Sequence, residues 1–386
     1  MAYDKVVDSA SLDSKLTQVA DAIRTKGNTS SDLQFPSGFI SAIQAIQTGT
    51  ELQIIVSVTS GATVTATKGS MSVSGTSVNN SCTLTVPEEG EWTVSATLGG
   101  ETSVSNTVNV ASSYDTTLAF VSTILNDNSW ETIHGISDAG TGANYWSVGD
   151  RKAVTLNGTV GHLTLSNYTT YAFIIGFNHN ASVEGANRIH FQFGKTALSG
   201  GTDVCFCDNQ YGPDGGWSSP GAGYFVMNAS KTNSGGWASS QMRTNICGTS
   251  LSSYSGTIIA VIPEALRAVL KSVTKYTNNT GKSSDESAVT ATTDYFFLLS
   301  EYEVFGSIKY GNTNEKNKQA QYAYYSAGNI KIKYKHNGTS TAARARWWLR
   351  SPSAKYSDYF MIVYSDGAVN YSDADFSLGF SPGFCV

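Results

Sequence analysis

The hydrophobic pattern changes its period twice along the chain. Between residues 11 and 47 the apolar positions recur at helical spacing, with Leu12, Leu16, Val19, Ala20 and Ile23 in one run and Phe39, Ile40, Ile43 and Ile46 in a second. Ser11 can cap the first helix and Gly27 can end it. Pro36 suits the first turn of the second, and Gly49 stops it. Helices this short cannot bury their apolar faces alone, so they are expected to pack on each other and on a partner chain. From 51 to 110 the period falls to two: LQIIVSV, ATVTATK, CTLTVP, EWTVSATL and SVSNTVNV alternate between Gly, Asn and Ser turns. That pattern predicts an all-β sandwich. Beyond it the regularity breaks into short strands and long loops. One helix is predicted to start at Pro263 and to bury Ala265, Leu266, Val269, Leu270 and Val273, and a second amphipathic stretch runs from Thr116 to Asn126. The expected architecture is multidomain: a short N-terminal helical hairpin (1–49), an Ig-like β-sandwich (50–111) and a C-terminal α+β domain (112–386).

Composition narrows the function classes. The 386 residues are 14% charged and 40% hydrophobic, with 37 Gly and 20 Tyr, which suits loop-rich surfaces that bind other surfaces. A net charge of −5 argues against nucleic acid as a partner. No apolar run approaches a membrane span, so membrane insertion is not expected. The start MAYDKVVDSASLDSKL lacks the form of a signal peptide, which implies synthesis in a cytoplasm.

Catalytic chemistry is not legible. Cys82, Cys205, Cys207, Cys247 and Cys385 show no disulfide framework and read as small buried hydrophobes. Cys205 and Cys207 fall on one side of a strand and could form half a metal site, but no CxxC or HxxxH completes it. His134, His162, His179, His190 and His336 form no HExxH, and there is no GxSxG elbow. No enzyme activity, cofactor or metal is therefore expected.

Three resemblances sharpen this picture. The run LTQVADAIRTKGNTSSDLQFPSGFISAIQAIQTG resembles a segment of tail and structural proteins of phages infecting Gram-positive bacteria. Trp92 in GEWTVSA, after a Pro-Glu-Glu-Gly turn, is similar to small Ig-like modules of phage and bacterial surface proteins. In the last domain the ordered motifs are Trp146–Asp150, Gly235–Ala238 with Met242-Arg243, the Pro263 segment, Phe297–Val304, Arg346–Pro352 (RWWLRSP) and Gly379–Cys385. Together they resemble a family of phage and bacterial domains marked by a W(W)LRSP motif. That family is related to C-type-lectin-fold domains, including variable proteins of diversity-generating retroelements. Ser381 and Gly383 depart from it, standing where Arg and Ala are usual.

The resemblance implies a phage-tail receptor-binding protein of the virion. Its partners would be a host cell-surface protein or glycan, other tail proteins and further copies of the chain in a homotrimer. The implied ligand face lies between Ser353 and Ser381, with Tyr356, Asp358, Tyr359, Tyr364, Asn370, Tyr371, Asp373 and Asp375 as its binding residues. An alternative site lies in the loops around Tyr211–Trp217 and Gly235–Trp237. Trp347, Trp348 and Leu349 are expected to anchor the core, and Arg346 and Arg350 to pair with Glu301, Glu303 or Asp150. Three rival readings remain. One is a purely structural tail component. Another is a relative of formylglycine-generating oxidoreductases, suggested by Gly379–Cys385 but lacking a second cysteine nearby. The third is a calcium-dependent lectin, for which the Glu-Pro-Asn and Trp-Asn-Asp signatures are missing.

Overall fold

A computed structural model describes residues 9–27, 30–45, 51–111, 113–118, 120–211, 219–337 and 344–386. Ile46, Gly49 and most of the Tyr211–Trp217 loop lie outside the described residues. The chain forms two compact units, Met1–Ala119 and Phe120–Val386, built mostly of β-sheet with short helices.

In the first unit the helices are Ser9–Lys26 and Ser37–Ala45. Ser11 lies two residues inside the first helix, so it is not the cap expected of it. Ala20, Ile23 and Phe39 form the buried seam, with Leu16, Leu33 and Ala42 packed against it. Leu12, Val19, Ile40 and Ile43 are 45–54% exposed, because two short helices share only one seam and the rest of each stripe turns outward. Next, Gln53–Ser57 pairs antiparallel with Ser81–Thr85 and parallel with Ser113–Thr117. A second sheet places Thr63–Lys68 between Met71–Thr76 and Gly90–Leu98, which also pairs with Asn106–Val110. Alternation is realised residue by residue: Ile54, Val56, Val64, Ala66, Trp92, Val94, Val108 and Val110 are all buried.

Two expectations need correcting here. The composition shift near Ala111 is not the end of the β unit, because Ser113–Thr117 adds a strand beyond it. The amphipathic stretch from Thr116 to Asn126 therefore begins as strand, and among its described residues the helical turn is the one at Leu125–Asp127.

The second unit opens with the helix Trp130–Asp138, capped by Ser129, whose hydroxyl accepts from the Thr132 N–H at 3.0 Å. Ser137 on this helix donates to the carbonyl of the last residue, Val386, so the unit's beginning and end are joined. A five-stranded sheet runs in the order Phe296–Phe297, Gly383–Cys385, Ile189–Lys195, Leu163–Phe177, Arg151–Val160. Every residue of Ile189–Lys195 is buried, as befits a strand covered on both faces. The helix expected from Pro263 is a single turn, Glu264–Arg267, and Ala265 is exposed. The Lys271 N–H donates to the Cys385 carbonyl at 2.9 Å, which draws the backbone out of helix, and Val273 opens the strand Val273–Asn278. The W(W)LRSP motif forms Trp347–Pro352. It pairs with Tyr359–Val363, which pairs in turn with Val369–Asp373.

Candidate functional site

The motif strand is buried throughout. Trp348 donates its ring N–H to the Phe225 carbonyl at 2.8 Å, and Trp347 donates to Lys331 at 2.9 Å. Of the three carboxylates expected for the two arginines, Arg350 takes Glu303. Its guanidinium grips both Glu303 oxygens, one at 2.8 Å, and also reaches the Leu298 carbonyl and the Thr277 hydroxyl at 2.8 Å each. Arg346 instead lies over the Tyr364 ring at 4.2 Å and donates to its hydroxyl at 2.6 Å. Asp150 accepts from the Ser147 N–H.

Glu303 belongs to a larger buried network. Lys275 donates to Glu303 at 3.0 Å, to Glu184 at 2.6 Å and to the Tyr322 hydroxyl at 2.8 Å. Burial alone would raise the Glu303 carboxyl, but Arg350 and Lys275 hold it well below the usual range. Glu184, with less compensation, is pushed up by burial to about 7. His179, Glu184 and Glu303 present ligand atoms within 4.8 Å of one another, a grouping that could hold a metal ion. The Lys275 ammonium already bridges both carboxylates and Arg350 pairs with Glu303, so the chain itself supplies two cations for the two acids. Cys385 adjoins the network, 3.3 Å from His190, and burial pushes its thiol up to about 12. Cys205 and Cys207 lie 3.9 Å apart and are buried, and the Cys207 N–H donates to the His336 ring at 3.0 Å.

A neighbouring carboxylate shapes the surface. Glu301, fully buried, accepts from the backbone N–H groups of Lys309 at 2.5 Å, Tyr310 at 3.2 Å and Gly311 at 2.8 Å. This grip sets the loop that carries Tyr310, whose carbonyl accepts from the Ala354 N–H at 3.1 Å. Asn233, 1% exposed, fixes the facing loop by donating its amide to the carbonyls of Tyr356 at 2.8 Å and Tyr359 at 2.9 Å.

The result is a tyrosine cluster. Tyr359 stacks on Tyr371 with centroids 4.7 Å apart, Tyr356 lies 5.4 Å from Tyr359 and 5.9 Å from Tyr371, and Tyr310 meets Tyr371 edge-on at 5.1 Å. The strand register explains the stack. Tyr359 pairs with Asp373 and Met361 with Tyr371, so both tyrosines and Asp373 share one face of the sheet. Lys231 ties the rim together, 2.9 Å from Asp373 and 3.9 Å from Asp358.

Five of the eight residues expected to bind therefore come together: Tyr356, Asp358, Tyr359, Tyr371 and Asp373. The strand runs Tyr359–Val363, which leaves Tyr364 beyond its end against Arg346. Asn370 pairs with Ile362 on the opposite face and accepts from the Tyr371 N–H at 2.9 Å. Asp375 is 8% exposed and has turned into the fold. Tyr310, Lys231, Lys309 and Lys355 were not singled out from sequence, because nothing local marks them. In the alternative loop, Trp237 is fully buried and donates to Asp294 at 3.1 Å, so it anchors the core.

The buried carboxylates give the fold a pH response. Glu315, which accepts from the Asn278 N–H and the Ser351 hydroxyl, is pushed up by burial to about 7. An acid raised in the folded state contributes stability at low pH that is lost as pH rises from its unfolded value towards 7. Glu315→Gln should therefore reduce the loss of stability between pH 6 and 8 by about 1 kcal/mol. Melting curves across that range check this, and parallel pH profiles for variant and parent would refute it.

Among the described residues, no helix is long and apolar enough to cross a membrane. No curated protein matches the chain. Residues 224–386, which include the W(W)LRSP strand, Glu301, Tyr310 and the rest of the tyrosine cluster, match the family described as a domain of unknown function (DUF6273).

Proposed function

We propose that this chain is a non-enzymatic, tail-associated binding protein of a phage or prophage particle, whose C-terminal unit attaches to a host-cell surface. The observation that carries this reading is the convergence of Tyr310, Tyr356, Tyr359 and Tyr371 from separate segments onto one partly exposed surface. Tyrosine offers large contact area at small entropic loss, and the carboxylates beside it supply adaptable hydrogen bonding. The buried network behind it favours a scaffold over a catalytic centre. Its acids and bases are sealed from solvent and already neutralise one another, so they cannot meet a substrate.

The finer assignments belong to the same proposal. The first unit's β-sheets form an Ig-like spacer, and its helices, with exposed Leu12, Val19, Ile40 and Ile43, join other tail proteins or further copies of the chain. The C-terminal unit is C-type-lectin-like. The meeting of its first helix and last residue, the long loops and the W(W)LRSP strand all suit that reading.

The test uses the full chain on a panel of bacterial cells. Tyr356, Tyr359 and Tyr371 changed together to Ala should abolish attachment while leaving the melt nearly intact, since each is at least partly exposed. Truncated anchors at the centre of such a surface lose about 2 kcal/mol or more each. Attachment unchanged in a folded triple variant would move the site elsewhere. A shallow cleft of about 310 Å³ between Ile124, Asp150, Arg151 and Leu198 is the next place to look.

A further inference from the structure

We propose that the tyrosine surface recognises an anionic saccharide, reading sugar rings through the aromatic faces and carboxylate or phosphate groups through flanking lysines. This rests on the functional reading above and names the chemistry of its ligand.

Charge is the first argument. The chain as a whole carries −5, yet Lys231, Lys309 and Lys355 all border the tyrosine cluster. Lys231 is held by Asp358 and Asp373. Lys309 and Lys355 form no ion pair among the described residues; each instead lies over a tyrosine of the cluster, 4.8 Å from the Tyr310 ring and 5.2 Å from the Tyr356 ring. The rings thus hold two ammonium groups at the rim without neutralising them. An incoming anion meets positioned donors with no salt bridge to break, the buried Glu301 acting on Lys309 only from a distance.

Shape and hydrogen bonding supply the second. The rings span a broad patch, with Tyr356 39% exposed. A broad aromatic surface suits the flat C–H face of a pyranose, which stacks on a π-system, better than a peptide anchor, which needs a pocket to fill. Asp358 and Asp373 leave carboxylate oxygens beside the rings that can accept from sugar hydroxyls while Lys231 offsets part of their charge. The Glu301 and Asn233 grips hold both loops in place before any ligand arrives, which lowers the ordering loss on binding.

The experiment measures binding of the full chain to four immobilised probes: polygalacturonate for sugar carboxylates, a phosphomannan for sugar phosphodiesters, neutral dextran, and oligothymidylate as a non-saccharide-reading polyanion control. The proposal expects one of the two anionic glycans to bind at least about tenfold more tightly than dextran and oligothymidylate, with affinity falling as salt screens the lysines. Which of the two binds assigns the anion. Lys309→Gln with Lys355→Gln should weaken that binding about tenfold at an unchanged melt, and Tyr359→Ala should weaken it further. Equal binding to dextran, equal binding to oligothymidylate, no binding to either anionic glycan, or an unaffected lysine pair would each overturn it. If the chain attaches to cells through its tyrosines yet ignores both anionic glycans, only this inference fails. Attachment that survives loss of the tyrosines removes the functional reading with it.

Discussion

Replacing Arg350 with methionine should lower the unfolding free energy by about 3–5 kcal/mol. The side chain is fully buried, and its guanidinium satisfies both oxygens of an equally buried Glu303. Removing it leaves Glu303 with Lys275 as its remaining cation, and Lys275 is shared with Glu184. The Leu298 carbonyl and Thr277 hydroxyl lose their donor as well. Most of the loss comes from stranding these partners, so it should shrink when the carboxylate is removed too. Arg350→Met combined with Glu303→Gln should therefore be more stable than the sum of the single changes predicts, a coupling that denaturant titrations of all four proteins measure. A single variant within about 1 kcal/mol of the parent would mean that water or another cation already serves Glu303.

Trp348→Ala is expected to destabilise by a similar amount, about 3–5 kcal/mol, for a different reason. The ring has no exposure, and its N–H is bonded to the Phe225 carbonyl at 2.8 Å. Truncation opens a cavity that the flanking strand cannot close, because the Trp348 N–H is bonded to Gly379 and its register partner Ile362 is fixed by the next strand. It also takes one of two donors from the Phe225 carbonyl, which keeps the Leu378 N–H at 3.2 Å. Trp348→Phe restores most of the volume without the N–H and should recover more than half of the loss. An alanine variant that melts with the parent would show that the motif is not the core anchor described above.

The two variants bear on recognition as well as stability. Arg350 leads into Ser351, whose hydroxyl accepts from the Glu301 N–H at 3.1 Å, and Glu301 sets the Tyr310 loop. The buried charges and the exposed tyrosines are thus successive layers of one construction.

Period and composition determined a good deal of this protein. The strict alternation of EWTVSATL marked which residues of that strand face inward, since successive side chains of a strand point to opposite faces. The bulk of Trp347 and Trp348 marked the core, and the Tyr- and Asp-rich stretch after them supplied three of the four clustered tyrosines. The Asp366-Gly367 pair is a local turn signal of the same kind, with Gly367 at φ +88°.

Tertiary structure decided the rest. Glu301, Glu303 and Asp150 are equivalent on paper as partners for Arg350, and only packing places Glu303 against it. The Pro263 segment has a helical stripe, but its helix closes after one turn at Arg267, and beyond it the Lys271 N–H is taken by Cys385, far along the chain. Tyr364 and Asp375 have the same composition around them as Tyr359 and Asp373. Strand register and burial, which depend on neighbours in space, separate the two pairs. Tyr310 joins the surface from a loop held by a buried carboxylate, a contact that no pattern of nearby residues encodes.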